Sequence, residues 1–123
     1  AYEAAFELLK SGRYDEANSA FTRFLASYPD SSLAGHAQYW LAETYYVQRD
    51  FETALAAFNT VVETYPGTRK MPDALLKVGY CNYENGDYAA ARGALEKVVS
   101  DYPDSTSARL AAQRLEKMRA EGR

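Results

Sequence analysis

The chain places a Tyr-Pro pair at three points separated by one fixed interval. Tyr28-Pro29, Tyr65-Pro66 and Tyr102-Pro103 use three of its 4 prolines, and successive tyrosines stand 37 residues apart. Proline removes a backbone donor and clashes with the preceding helical turn, and the residue ahead of it avoids the helical region. Each pair therefore stops a helix, and the stops recur. Sliding the chain by 37 superposes Tyr14, Phe51 and Tyr88, then Ala17, Ala54 and Ala91, then Ala20, Ala57 and Ala94. Phe21, Phe58 and Leu95 follow, then Phe24, Val61 and Val98, then Leu25, Val62 and Val99. Within a unit these positions fall on one face of a helix. A period of this size defines a repeat protein.

Each unit reads as two helices. The first helices are predicted over residues 1–11, 32–48 and 70–85, the second over 14–27, 51–64 and 88–101. A lone last helix follows at 105–120, so a single domain spans 1–123, with repeats over 1–29, 32–66 and 69–103. Gly12 and Gly86 suit the left-handed residue that ends a helix, and Asp50 and Asp87 suit N-caps. The Ser and Thr residues after each Tyr-Pro are expected to cap the next first helix. Helices cross closely where side chains are short. Ala17, Ala54 and Ala91 would mark such crossings, opposite Ala5, Ala42 and Gly79. The last helix should carry a polar outer face, assigned here to Arg109, Arg114, Lys117 and Arg119, because no further unit covers it. The expected fold is all-α: a right-handed superhelical stack of three helix pairs plus a C-terminal capping helix.

At 123 residues the chain is one domain's worth, and a net charge of -3 argues against nucleic acid or anionic lipid as the main partner. No apolar run approaches the ~18 residues that cross a bilayer. The chain opens at Ala1 without a methionine, as a trimmed or mature terminus would. The single Cys81 can form no internal disulfide. Enzyme chemistry finds little support. The only histidine, His36, has no companion at metal-ligand spacing, Cys81 has no evident base, and no Gly-rich phosphate loop is present. No catalytic residue, cofactor or metal is expected, and Cys81 reads as a packing residue.

The spacing resembles the tetratricopeptide repeat. That family's small–Ala–large–Pro pattern is met by Ala5, Ala17, Phe21, Pro29, by Ala42, Ala54, Phe58, Pro66, and by Gly79, Ala91, Leu95, Pro103. The usual repeat is about 34 residues, and the surplus here falls in the Tyr-Pro connection. Tyr45 keeps the aromatic expected late in the first helix, Leu8 substitutes for it, and Asn82 departs from it. More narrowly, "AYEAAFELLKSGRYDEA", "FTRFLASYPDS", "AQYWLAETYY" and "YPDSTSARLAAQRL" are similar to the C-terminal domain of the YbgF/CpoB family. These are Tol-Pal cell-division coordinators of Gram-negative bacteria. That resemblance implies a periplasmic protein that binds TolA and helps couple peptidoglycan synthesis to outer-membrane constriction. A peptidoglycan synthase is a further implied partner, and the domain would follow a signal peptide and a trimerising coiled coil. Outer-membrane assembly lipoproteins share the Tyr-Pro-Asp-Ser motif and supply an alternative role as scaffold. Self-association through exposed aromatics is another.

By the family pattern the first helices line the concave side. The inward positions are Tyr2, Phe6 and Leu9, then Tyr39, Glu43 and Tyr46, then Leu76, Tyr80 and Tyr83, with His36 and Asp73 on the same face. Tyrosine suits a protein interface because its ring buries ~150–250 Å² while its tip stays polar. The places that carry a carboxylate clamp in relatives hold Tyr2, Phe6 and Glu43, so no such clamp is expected. Glu43 predicts a mildly acidic groove and a neutral or basic segment of TolA, helical or extended, lying in it.

Overall fold

The computed structural model describes all residues 1–123. Seven helices follow one another: α1 (Tyr2–Lys10), α2 (Tyr14–Ser27), α3 (Ala34–Val47), α4 (Phe51–Thr64), α5 (Met71–Glu84), α6 (Tyr88–Asp101) and α7 (Thr106–Ala120). The second helix of each pair begins and ends where the sequence places it. Asp50 accepts from the Thr53 N–H and Asp87 from the Ala90 N–H, each at 3.2 Å. Gly12 and Gly86 take φ of 78° and 85° in the tight turns before α2 and α6. In the middle repeat the same turn falls on Arg49, the one non-glycine at positive φ (65°).

The first helices start later than expected, at Ala34 and Met71 rather than 32 and 70. After each Tyr-Pro the chain makes one more tight turn. The Ser31 hydroxyl takes the Leu33 N–H at 3.1 Å and the Thr68 hydroxyl takes the Lys70 N–H at 3.2 Å. These side chains hold the turn, not the helix end. Only Ser105 caps its helix as predicted, accepting from the Ala108 N–H at 2.9 Å.

The core forms three clusters, and each is completed by the first helix of the following unit. Phe21 and Phe24 pack with Ala5, Ala17 and with Ala37 of α3. Phe58 and Val61 pack with Ala42, Ala54 and with Ala74, Val78 and Cys81 of α5. Leu95 and Val98 pack with Ala91 and with Ala108, Ala111 and Met118 of α7. A repeat thus cannot bury its apolar face alone, which is why the third pair requires α7. The six predicted crossing residues are all buried. Gly79 is the tightest: a Cβ there would lie 2.6 Å from Leu95 Cδ2. On α7 the matching position is Glu116, a charged residue where Ala42 and Gly79 each meet a partner helix. It ends the stack.

Across repeats α1 meets α3 and α5 meets α7, while the second helices pack chiefly on first helices. The odd helices are therefore the closer-set row and form the inside of the curve.

Candidate functional site: the concave face of the stack

One position recurs on α3, α5 and α7 and joins each unit to the one before it: Trp40, Lys77 and Arg114, spaced by 37 residues. Each rests on the residue that the previous first helix places at the matching site, namely Phe6, Glu43 or Tyr80. Trp40 meets the Phe6 ring at 5.1 Å between centroids. Lys77 Nζ reaches Glu43 Oε1 at 2.9 Å and lies 4.0 Å from the Tyr46 centroid. The Arg114 guanidinium lies 4.3 Å from the Tyr80 centroid and 4.9 Å from that of Tyr83. An aromatic–cation seam therefore runs along the concave face. Contacts of this kind add about 0.5–2 kcal/mol each, more as they lose water.

The predicted groove residues divide by where they point. Tyr39 and Leu76 require correction: they are 6% and 4% exposed, members of the core rather than of the docking surface. Both stand three residues before a small crossing residue, and that direction faces the partner helix of the same unit. Tyr39 packs its ring 5.4 Å from Phe58, and burial, with Glu43 next in importance, drives its hydroxyl pKa far upward. Tyr2 turns the same way, edge-on to Phe21 at 6.0 Å, and is half-buried. Phe6, Tyr46, Tyr80 and Tyr83 are half-buried, with part of each ring facing out. Burial lifts the Tyr46 hydroxyl to about 12, and the Tyr83 hydroxyl donates to Glu121 at 2.6 Å.

The charge expected of the groove also needs correcting. Glu43 is not a free acid waiting for a basic segment. Its carboxylate is held by Lys77, with the two side chains 19% and 17% exposed. Asp73 accepts from the Ser107 hydroxyl at 2.6 Å and has Lys70 at 3.8 Å. Lys70 in turn sits 4.5 Å over Trp40 and 5.1 Å over Tyr39. Burial depresses the His36 pKa, aided by Lys70 and Arg69, which favours the neutral imidazole. Arg114 and Lys117, expected on the outer side of the cap, turn inward: Arg114 lies over Tyr80 and Tyr83, and Lys117 reaches Tyr83 at 5.2 Å.

Sequence reasoning passes over Trp40 and Lys77 and puts Arg114 on the wrong side of its helix. The signal was present: Trp40, Lys77 and Arg114 keep the same interval as the Tyr-Pro pairs. Cys81 is buried and its thiol is pushed up to about 12 by burial, so it holds almost no thiolate at neutral pH. No group of three or more His, Cys, Asp or Glu side chains is placed to hold a metal ion. No helix is long and apolar enough to cross a membrane.

A stack of helix pairs with a ring-lined inner face is the architecture of a protein-interaction repeat. The chain belongs to the tetratricopeptide repeat family: one family profile matches residues 2–69, more than half of the chain, and a second matches residues 73–105. Among characterised proteins it is similar to the cell division coordinator CpoB of Pseudomonas putida, represented by strain KT2440 and by a second sequence of the species. Each is 47% identical over 51 residues, which is 42% of this chain. The matched segment spans about a fifth (19%) of those relatives' length.

Proposed function

We propose that this chain is the protein-binding module of a Tol-Pal cell-division coordinator. It acts in the periplasm, holds a segment of TolA along the concave face, and helps link peptidoglycan synthesis to outer-membrane constriction. The observation that carries this reading is the 47% identity to the cell division coordinator CpoB, an identity that falls within a tetratricopeptide chain. The exposed portions of Phe6, Trp40 and Tyr80 supply the anchors, since large half-buried rings on a rigid scaffold carry most of the energy at protein interfaces.

Calorimetric titration of the chain with purified TolA tests the proposal. Trp40→Ala and Tyr80→Ala should each weaken binding by about tenfold or more, the loss expected for an interface anchor. Glu96→Ala on α6 should leave it unchanged. Tyr39→Ala is not a useful probe, because it removes a core side chain. Unaltered affinity in a folded Trp40→Ala, Tyr80→Ala double variant would place the site elsewhere.

A further inference from the structure

The inner face changes chemistry along the stack. At the first joint the overlying side chain is neutral Trp40 and at the second it is Lys77, whose charge Glu43 meets at 2.9 Å. At the third it is Arg114, and there the charge is unmet. Arg114 is half-buried on two tyrosine rings. It appears in none of the seven ion pairs, and no side-chain hydrogen bond of the fold uses its N–H groups. Lys117, one turn on, is exposed, reaches the Tyr83 ring and has no ion pair either. The neighbouring acids are mostly engaged. Asp73 is held by Ser107 and Lys70, and Glu121 by the Tyr83 hydroxyl with Arg123 at 3.9 Å. Only Glu84, exposed at the end of α5, carries no partner. A guanidinium held against ring faces has lost little solvation and much freedom, and its planar edge remains matched to a carboxylate.

We infer that the segment bound on the concave face is acidic. Its Asp or Glu side chains seat against Arg114 and Lys117 at the α5–α7 end, while its apolar side chains lie on Phe6 and Trp40 at the α1–α3 end. This inference rests on the concave-face reading and makes it more specific. It replaces the expectation of a neutral or basic segment, which required a free Glu43.

The test is an NMR titration of the isotope-labelled chain with two C-terminally amidated helical peptides of roughly five turns. Both consist of Leu and Ala, and one carries Glu where the other carries Lys. Amidation removes the terminal carboxylate, so only side-chain acids can contribute. The Glu peptide should shift the Trp40 indole and Arg114 side-chain signals, and added salt should weaken it. It should bind about tenfold tighter than the Lys peptide, and Arg114→Gln with Lys117→Gln should cost it about fivefold, the size of two partly screened pairs. Circular dichroism verifies that this variant folds. Equal or tighter binding of the Lys peptide on the same residues, or indifference to the double substitution, overturns the acidic assignment and leaves the concave site standing. Shifts confined to α2, α4 and α6 overturn both. Absence of any shift from the Glu peptide at millimolar concentration overturns the acidic assignment.

Discussion

Gly79 and Leu95 give the sharpest test of how the repeats pack. In the first two units an alanine (Ala5, Ala42) crosses beside a phenylalanine (Phe21, Phe58), whereas the third unit pairs Gly79 with Leu95. A Cβ on Gly79 would lie 2.6 Å from Leu95 Cδ2 and 2.7 Å from its Cγ, and Leu95 is fully buried with nowhere to retreat. Alanine gains about 1 kcal/mol over glycine in a helix interior, while overpacking a filled core costs about 1–3 kcal/mol. Gly79→Ala should therefore destabilise the chain by about 1 kcal/mol, lowering Tm by roughly 4 °C. In a Leu95→Ala background both offending carbons, Cγ and Cδ2, are gone, and the same substitution should stabilise by about 1 kcal/mol relative to that background. Urea unfolding followed by circular dichroism, at constant m value, reads both. A stabilising Gly79→Ala in the unaltered chain, or an effect indifferent to residue 95, would refute the crossing geometry.

Arg49→Gly removes a left-handed non-glycine residue and should stabilise by about 0.5–1 kcal/mol in the same assay, less any stacking lost from Phe51 at 5.2 Å. Lys77→Met and Glu43→Gln should show a coupling of about 1 kcal/mol in a double-mutant cycle, because the pair is mostly shielded from water; additive effects would mean that the clasp contributes nothing. In alkali, burial holds the Cys81 thiol and the Tyr46 hydroxyl neutral up to about 12 in the folded chain, against ordinary values of 9.0 and 10.0. Their contribution to stability is thus complete below pH 9.0 and lost as pH climbs toward about 12. Cys81→Ala should delay the onset of that loss, as read from denaturant midpoints across the range.

The helices were readable because their boundaries are written in local chemistry. Asp50 and Asp87 cap, Gly12 and Gly86 turn, and Tyr-Pro stops each second helix at the residue expected. The starts of α3 and α5 were misplaced because Ser31 and Thr68 can serve a turn or a helix end with the same hydroxyl. The site was half legible. Periodicity within one helix finds the positions of Tyr39 and Leu76, yet the pitch of the partner helix decides that Phe58 and its equivalents cover them. The cations could not be placed that way, since Lys77 and Arg114 act on rings of the preceding unit. Their destination depends on how units stack, and only comparison across the 37-residue interval reveals it.

The most direct measurement is site-specific photocrosslinking to TolA, with benzoylphenylalanine placed at Tyr80 or Leu110 on the first-helix side and at Thr60 or Glu96 on the second helices. The account predicts TolA adducts from Tyr80 and Leu110 and none from Thr60 or Glu96. Adducts from the second-helix positions alone would contradict it.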